Sequence, residues 1–224
     1  MVRVFVVVEG QTEESFVNNV LAPEFWTKSI FIIPRILGRP GQKGGRVNYD
    51  RVRGDVVRLL KEQRSAYCTT MADFYGLGNG FPGTPAPEGL SSLHQVRHIE
   101  AALKQDICER IPGFRPELRF LPYLQLHEYE GLLFSDPVAF ASGINQPHMA
   151  QQFRKVRSEF QTPEDINNGP ETAPSKRVIQ AYPGYRKVIE GTQAALAVGL
   201  RVMREQCPHF REWLDVLERL EPLV

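Results

Sequence analysis

The sequence predicts an α/β protein, a mostly parallel sheet flanked by helices with a helix-rich C-terminal part. Three observations predict it. Apolar runs rich in β-branched and aromatic residues, such as Val4-Phe5-Val6-Val7-Val8 and Ile30-Phe31-Ile32-Ile33, alternate with segments whose apolar residues recur at helical spacing, the pattern of strand–helix–strand units. The first run is continuous, as expected of a strand buried on both faces. From Pro137 onward strand-like runs give way to helical segments. We divide the chain into an α/β core over 1–136 and a helical extension over 137–224, which either continues the same domain or forms a small cap.

In chain order, the first strand stops at Glu9; Gly10 is expected to permit a tight turn and Thr12 to cap the next helix. That helix covers 13–25, with Phe16, Val17, Val20 and Leu21 as its stripe and Pro23 near its end. A second strand spans 29–37, and its internal Pro34 demotes the far half to a sheet edge or a non-strand segment. The glycine-rich loop over 38–46 carries Arg39, Lys43 and Arg46 and matches neither a dinucleotide fingerprint nor a P-loop. Its cations suit a phosphate-backbone contact or simply a solvated loop. A helix over 49–64 leads to a strand over 66–72, closed by Asp73-Phe74-Tyr75-Gly76. The glycine- and proline-rich loop to residue 89 is long enough to be functional or disordered. An amphipathic helix over 91–110 precedes a strand over 118–126, which ends in His127-Glu128-Tyr129-Glu130. Helices are expected at 149–160, 175–181, 194–205 and 210–220.

Composition narrows the partners and the compartment. Net charge is +1, from 27 basic and 26 acidic residues among 224, so any nucleic-acid surface must be a local patch. Three cysteines without Cys-x-x-Cys spacing argue against a disulfide framework and a structural zinc site, and for a reducing cytoplasm. The first strand begins almost at Met1, which leaves no signal peptide to expect, and no apolar run approaches membrane length.

Three strands end in acids: Glu9, Asp73 and Glu128. Right-handed parallel topology brings those ends to one sheet edge, where open α/β sheets bind ligands. Glu13, in the first helical turn, joins them, although acids there also suit the helix dipole. Hard divalent cations take oxygen ligands, so Glu9, Glu13, Asp73, Glu128 and Glu130 form a candidate site for Mg²⁺, with Mn²⁺ able to substitute. His127 is a candidate general base or a hydrogen-bonded structural residue. Lys176 and Arg177, opening a helix, could reach a phosphate or form an exposed basic pair. Phe74, Tyr75 and Phe81 could stack on a base, or anchor their loop.

The motifs Glu9-Gly10-Gln11-Thr12-Glu13 and Asp73-Phe74-Tyr75-Gly76 resemble the Toprim (Rossmann-like) fold of topoisomerases, primases and overcoming-lysogenization-defect (OLD) nucleases. With Phe81-Pro82-Gly83, the run from His127 to Asp136, the run from Asn168 to Arg177 and Cys207-Pro208-His209-Phe210, the chain more narrowly resembles the bacterial domain-of-unknown-function 4276 family. The resemblance implies a strand-end Glu and an Asp-x-Asp pair binding Mg²⁺ for cutting or joining strands. Registering Gly76 with the Toprim glycine makes Asp73 the second acid of that pair and places Met71 at the first. Either Glu13 and the Glu128/Glu130 pair replace the missing ligand, or metal binding is weak.

The expected function is therefore a Mg²⁺-dependent nuclease or phosphoesterase, with Glu9, Asp73, Glu128, His127 and Lys176 as candidate catalytic residues and DNA or RNA as substrate. The resemblance further implies an ABC-type ATPase partner encoded nearby and a defence or mobile-element setting. The alternative is a catalytically silent subunit regulating that ATPase. A receiver-like domain phosphorylated on Asp73 is a third reading, but it has no place for the helical tail. Homo-oligomerisation stays open.

Overall fold

The computed structural model describes residues 1–38, 47–78, 80–166, 169 and 171–223. Arg39, Lys43 and Arg46 of the glycine-rich loop therefore lie outside the described residues, as do Asn167, Asn168 and Pro170. The fold is α/β, with a parallel sheet of five strands flanked by helices.

Strand β1 (Val2–Val8) is buried on both faces. Val2, Val4, Val6 and Val8 enter one apolar cluster, and Phe5 and Val7 enter another, as period-two alternation requires. Helix α1 (Gln11–Phe16) starts from Gly10, not from Thr12, which lies buried inside it. Gly10 is extended, at φ −156, so no left-handed turn demands glycine there. The Glu13 carboxylate accepts the Gly10 N–H at 3.0 Å and caps the helix. A π-helical turn (Val17–Leu21) leads into α2 (Ala22–Trp26), where Pro23 falls in the first turn and its missing N–H is tolerated.

Strand β2 (Ile30–Ile36) pairs in parallel with β1 along its whole length, Pro34 lying opposite Val6. The far half stays in the sheet because β2 is an edge strand, where proline is accommodated. Helix α3 (Tyr49–Glu62) is capped by Asn48. Strand β3 (Tyr67–Asp73) pairs with β1 on one side and with the last strand on the other. Helix α4 (Ser92–Arg110) packs with α3 over the Phe5/Val7 face.

Helix α5 (Pro116–Arg119) takes the first residues of the expected fourth strand. The rest is split into β4 (Phe120–Leu121) and β5 (Leu124–Gln125), both parallel to β3. Pro122 has no N–H for the ladder, and Thr70 fills the gap: its hydroxyl donates to Tyr123 O at 2.8 Å and accepts the Tyr123 N–H at 3.0 Å. Arg119 fixes the approach to this strand. It is buried, with Nε donating to Ala66 O (2.9 Å) and the terminal nitrogens to Leu60 O (3.0 Å), Phe114 O (2.8 Å) and Gln63 O (2.5 Å). Arg119→Leu removes these hydrogen bonds, with Gln63 O keeping the Ala66 N–H, and urea unfolding should show a loss of about 3 kcal/mol. A loss under about 1 kcal/mol would mean the carbonyls find other donors.

The C-terminal helices are α6 (Glu130–Leu133), α7 (Pro137–Gly143), α8 (Ala150–Ser158), α9 (Pro174–Ala181), α10 (Lys187–Val198), α11 (Leu200–Gln206) and α12 (Pro208–Glu218). The single helix expected over 194–205 is two: Gly199, at φ +78, breaks it, and α10 begins at Lys187. Helix α7 had no counterpart in the expected series. It crosses α10 closely, since a methyl group on Gly143 would stand 2.6 Å from Ala194 Cα. Phe134, Phe140, Phe153, Val178 and Phe210 share one apolar cluster with the valines of β1, so both parts of the chain build a common core. Among the described residues no helix is long and apolar enough to cross a membrane.

Candidate functional site

Parallel pairing puts the carboxyl ends of β1, β3 and β5 on one edge, with Val8 beside Met71 and Asp73 beside Gln125. Glu9 follows β1 directly, Asp73 ends β3, and Glu128 and Glu130 follow β5. The Tyr129 N–H donates to Asp73 Oδ1 at 2.8 Å, which ties the last loop to the central strand. Gly76 seats the turn after β3 against Glu9: a methyl group there would lie 3.3 Å from Glu9 Oε2. Glu128 is turned toward α9, accepting the Ser175 N–H at 2.8 Å.

At the centre stands Lys187. Its ammonium lies 3.5 Å from Asp73 Oδ2 and 3.2 Å from Glu130 Oε2. A lysine at the first residue of a helix opposes the helix dipole; the carboxylates account for its presence. Helix α10 is held in place by Thr192, which donates to Ser15 Oγ of α1 at 2.9 Å, and by Tyr129, whose hydroxyl donates to Gly191 O at 3.1 Å.

Five carboxyl groups and one ammonium leave the edge rich in negative charge. Burial, then Glu13, pushes the Glu9 carboxyl up from an ordinary 4.5 to about 7, with Lys187 opposing. Burial also pushes Asp73 and Glu130 above the usual carboxylate range, again against Lys187. Burial would lower the Lys187 pKa, but Asp73, Glu130 and Glu13 together hold it well above its usual value. A raised folded-state pKa means that ionising Glu9 costs stability. The contribution present below about pH 4.5 is lost as pH rises to about 7. In chelator, urea stability of the protein should fall across that window, and Glu9→Gln should flatten the fall; parallel curves for the two proteins would contradict this assignment.

The donor set suits a hard divalent cation in kind. Glu130 is the most direct indication: it is fully buried, and the cation that faces it among the described residues is the Lys187 ammonium, 3.2 Å from Oε2. A buried carboxylate so placed calls for cationic compensation. Among the described residues no group of three or more His, Cys, Asp or Glu side chains is arranged to hold a metal ion as it stands. Lys187 occupies the space between Asp73 and Glu130, and it must move aside for them to share one. Met71 is no substitute ligand; it is fully buried in the core.

The remaining expected residues fall elsewhere. The His127 ring is buried, its pKa is lowered by burial, and its charged neighbours are Asp165 and Glu128, not Glu9 or Asp73. Its backbone is left-handed at φ +59, and its carbonyl accepts the Tyr75 N–H at 3.1 Å. Lys176 is exposed. Arg177 stacks on Phe160 at 5.2 Å, pairs with Glu159 at 3.4 Å and donates to Thr172 O at 2.9 Å. Lys187 was not singled out in the sequence. The signal available was Arg186-Lys187 after the Tyr182-Pro183-Gly184 break, a basic pair at a helix start.

These features define an α/β protein whose parallel sheet carries an acidic site at its carboxyl edge, clamped by one lysine. The chain belongs to the family described as Domain of unknown function (DUF4276), whose model matches residues 8–218. No curated protein matches the chain. Among solved structures it is similar to the C-terminal region of the Xanthomonas campestris pv. campestris OLD protein, at 13% identity and a TM-score of 0.44, over 97% of this chain and 95% of that one.

Proposed function

We propose that this protein is a Toprim-like, Mg²⁺-dependent phosphodiester hydrolase acting on nucleic acid. The observation that carries the reading is the meeting of Glu9 and Glu13, Asp73, and Glu130 from three chain segments at one strand-end edge, with Glu130 buried and faced by Lys187. Glu9, Asp73 and Glu130 would hold the ion, Glu13 and Glu128 flanking it. When bound, Mg²⁺ would polarise the phosphodiester and favour ionisation of an attacking water. Lys187, released from Asp73 and Glu130, supplies a positive charge for a phosphate oxygen. The Tyr129 N–H keeps Asp73 oriented, and Gly10 keeps Glu13 oriented. His127 has a structural role in this scheme, holding the turn at Tyr75 through its carbonyl.

Labelled single- and double-stranded DNA and RNA, incubated with the purified protein and Mg²⁺, Mn²⁺ or EDTA, test the reading. Cleavage that needs the metal is expected; intact substrates under every metal condition would sink it.

A second reading is favoured by the position of Lys187 and by Met71 in the core: a silent Toprim-like subunit whose lysine replaces the ion and which regulates a partner ATPase. Calorimetric titration with Mg²⁺ or Mn²⁺ separates the two, because the silent subunit gives no binding heat at this edge. The ATPase partner and the defence or mobile-element setting rest on the family resemblance alone.

A further inference from the structure

The turn that follows Asp73 and the loop beyond it carry three aromatic residues, and the structure separates their roles. Phe81 is 3% exposed and packs against Tyr49 with ring centroids 5.7 Å apart. Phe74 is partly buried against the same cluster. Tyr75 is 46% exposed, and its hydroxyl has no hydrogen-bond partner among the described residues. Anchoring the loop therefore explains Phe74 and Phe81 but leaves Tyr75 without a structural task.

Its backbone is nevertheless fixed. The Tyr75 N–H donates to His127 O at 3.1 Å, Leu77 N–H to Phe74 O at 3.3 Å, and Gly78 N–H to Val47 O at 3.0 Å. Gly76 abuts Glu9, and Asp73 immediately precedes the turn. A rigid turn thus presents a solvent-facing aromatic ring at the rim of the acidic edge.

Resting on the proposed hydrolase reading, we infer that Tyr75 stacks on an unpaired nucleobase beside the scissile phosphate and makes single-stranded nucleic acid the preferred substrate. Beside the charge of the ion and of Lys187, a single strand offers affinity through a term other than charge. Base–aromatic stacking is such a term, and it tolerates any sequence. A duplex keeps its base faces stacked inside, so the ring gains little from it.

The test compares wild-type, Tyr75→Phe and Tyr75→Ala proteins on single-stranded DNA and RNA oligonucleotides and on their blunt duplexes, in Mn²⁺ and in Mg²⁺. Because the side chain is exposed, all three should melt alike. Tyr75→Ala is expected to raise KM for the single strand about 10-fold with kcat nearly unchanged, to leave the duplex unaffected, and to be rescued by Tyr75→Phe. If the wild type cleaves but prefers duplex, or if Tyr75→Ala matches it on the single strand, the stacking role is overturned while the hydrolase reading stands. If the wild type cleaves neither single strands nor duplexes, both fall together.

Discussion

Asp73→Asn is expected to lower metal-dependent cleavage by about 10²–10³-fold, the scale of removing one preorganised electrostatic group, while the protein stays folded. The two halves of this prediction have separate causes. Asparagine keeps an oxygen for the Tyr129 N–H, so the tie between β3 and the last loop survives. What disappears is a charge that burial, Glu13, Glu130 and Glu9 disfavour and Lys187 favours, with the balance against it. The variant should therefore melt no lower than the wild type in EDTA, and a kinetic assay beside a thermal melt checks both. Loss of activity with a collapsed melt would point to a structural Asp73. Full activity in a folded variant would remove Asp73 from the chemistry.

Lys187→Met is expected to act in the opposite sense on stability. Without the ammonium, Asp73 and Glu130 remain buried with no cation facing them. Breaking a fully buried pair costs about 3–5 kcal/mol; the lysine side chain is 38% exposed and thus partly screened, so about 2 kcal/mol near neutral pH is the expectation. Both carboxyls have raised folded-state pKa values, so they hold their protons at low pH and lose stability as pH rises through those values. The cost of the substitution should therefore shrink as pH falls. Added Mg²⁺ should restore much of the loss at neutral pH, because a divalent cation can take the vacated place, and the variant should bind Mn²⁺ more tightly than the wild type. A pH-independent cost with no metal rescue would make Lys187 an ordinary packing contact.

Much of this architecture was legible in the sequence because it rests on local rules. The β1 run reads as a strand buried on two sides, and parallel topology then puts Glu9 and Asp73 at one edge. What escaped has physical causes. Gln11 rather than Thr12 opens α1 because Glu13 supplies the cap that Thr12 was expected to provide. The fourth strand breaks because Pro122 cannot join the ladder and Thr70, a residue distant in sequence, closes the gap. Lys187 escaped because the stretch Lys187-Val188-Ile189-Glu190-Gly191-Thr192 has no clear apolar stripe: Val188 and Ile189 are exposed, while Glu190 and Gly191 are buried. Tertiary contacts with α1, α6 and α7 decide that helix start, and the residue at its head fills the centre of the site.

The central claim is that the carboxylates of the sheet edge share a divalent cation. Anomalous diffraction from crystals soaked in Mn²⁺ tests it most directly. A peak is expected within coordination distance, about 2.0–2.3 Å, of oxygens from Glu9, Asp73 and Glu130, with the Lys187 ammonium displaced from between Asp73 and Glu130. A fully soaked crystal with no peak at this edge, and Lys187 still bridging the two carboxylates, would contradict it.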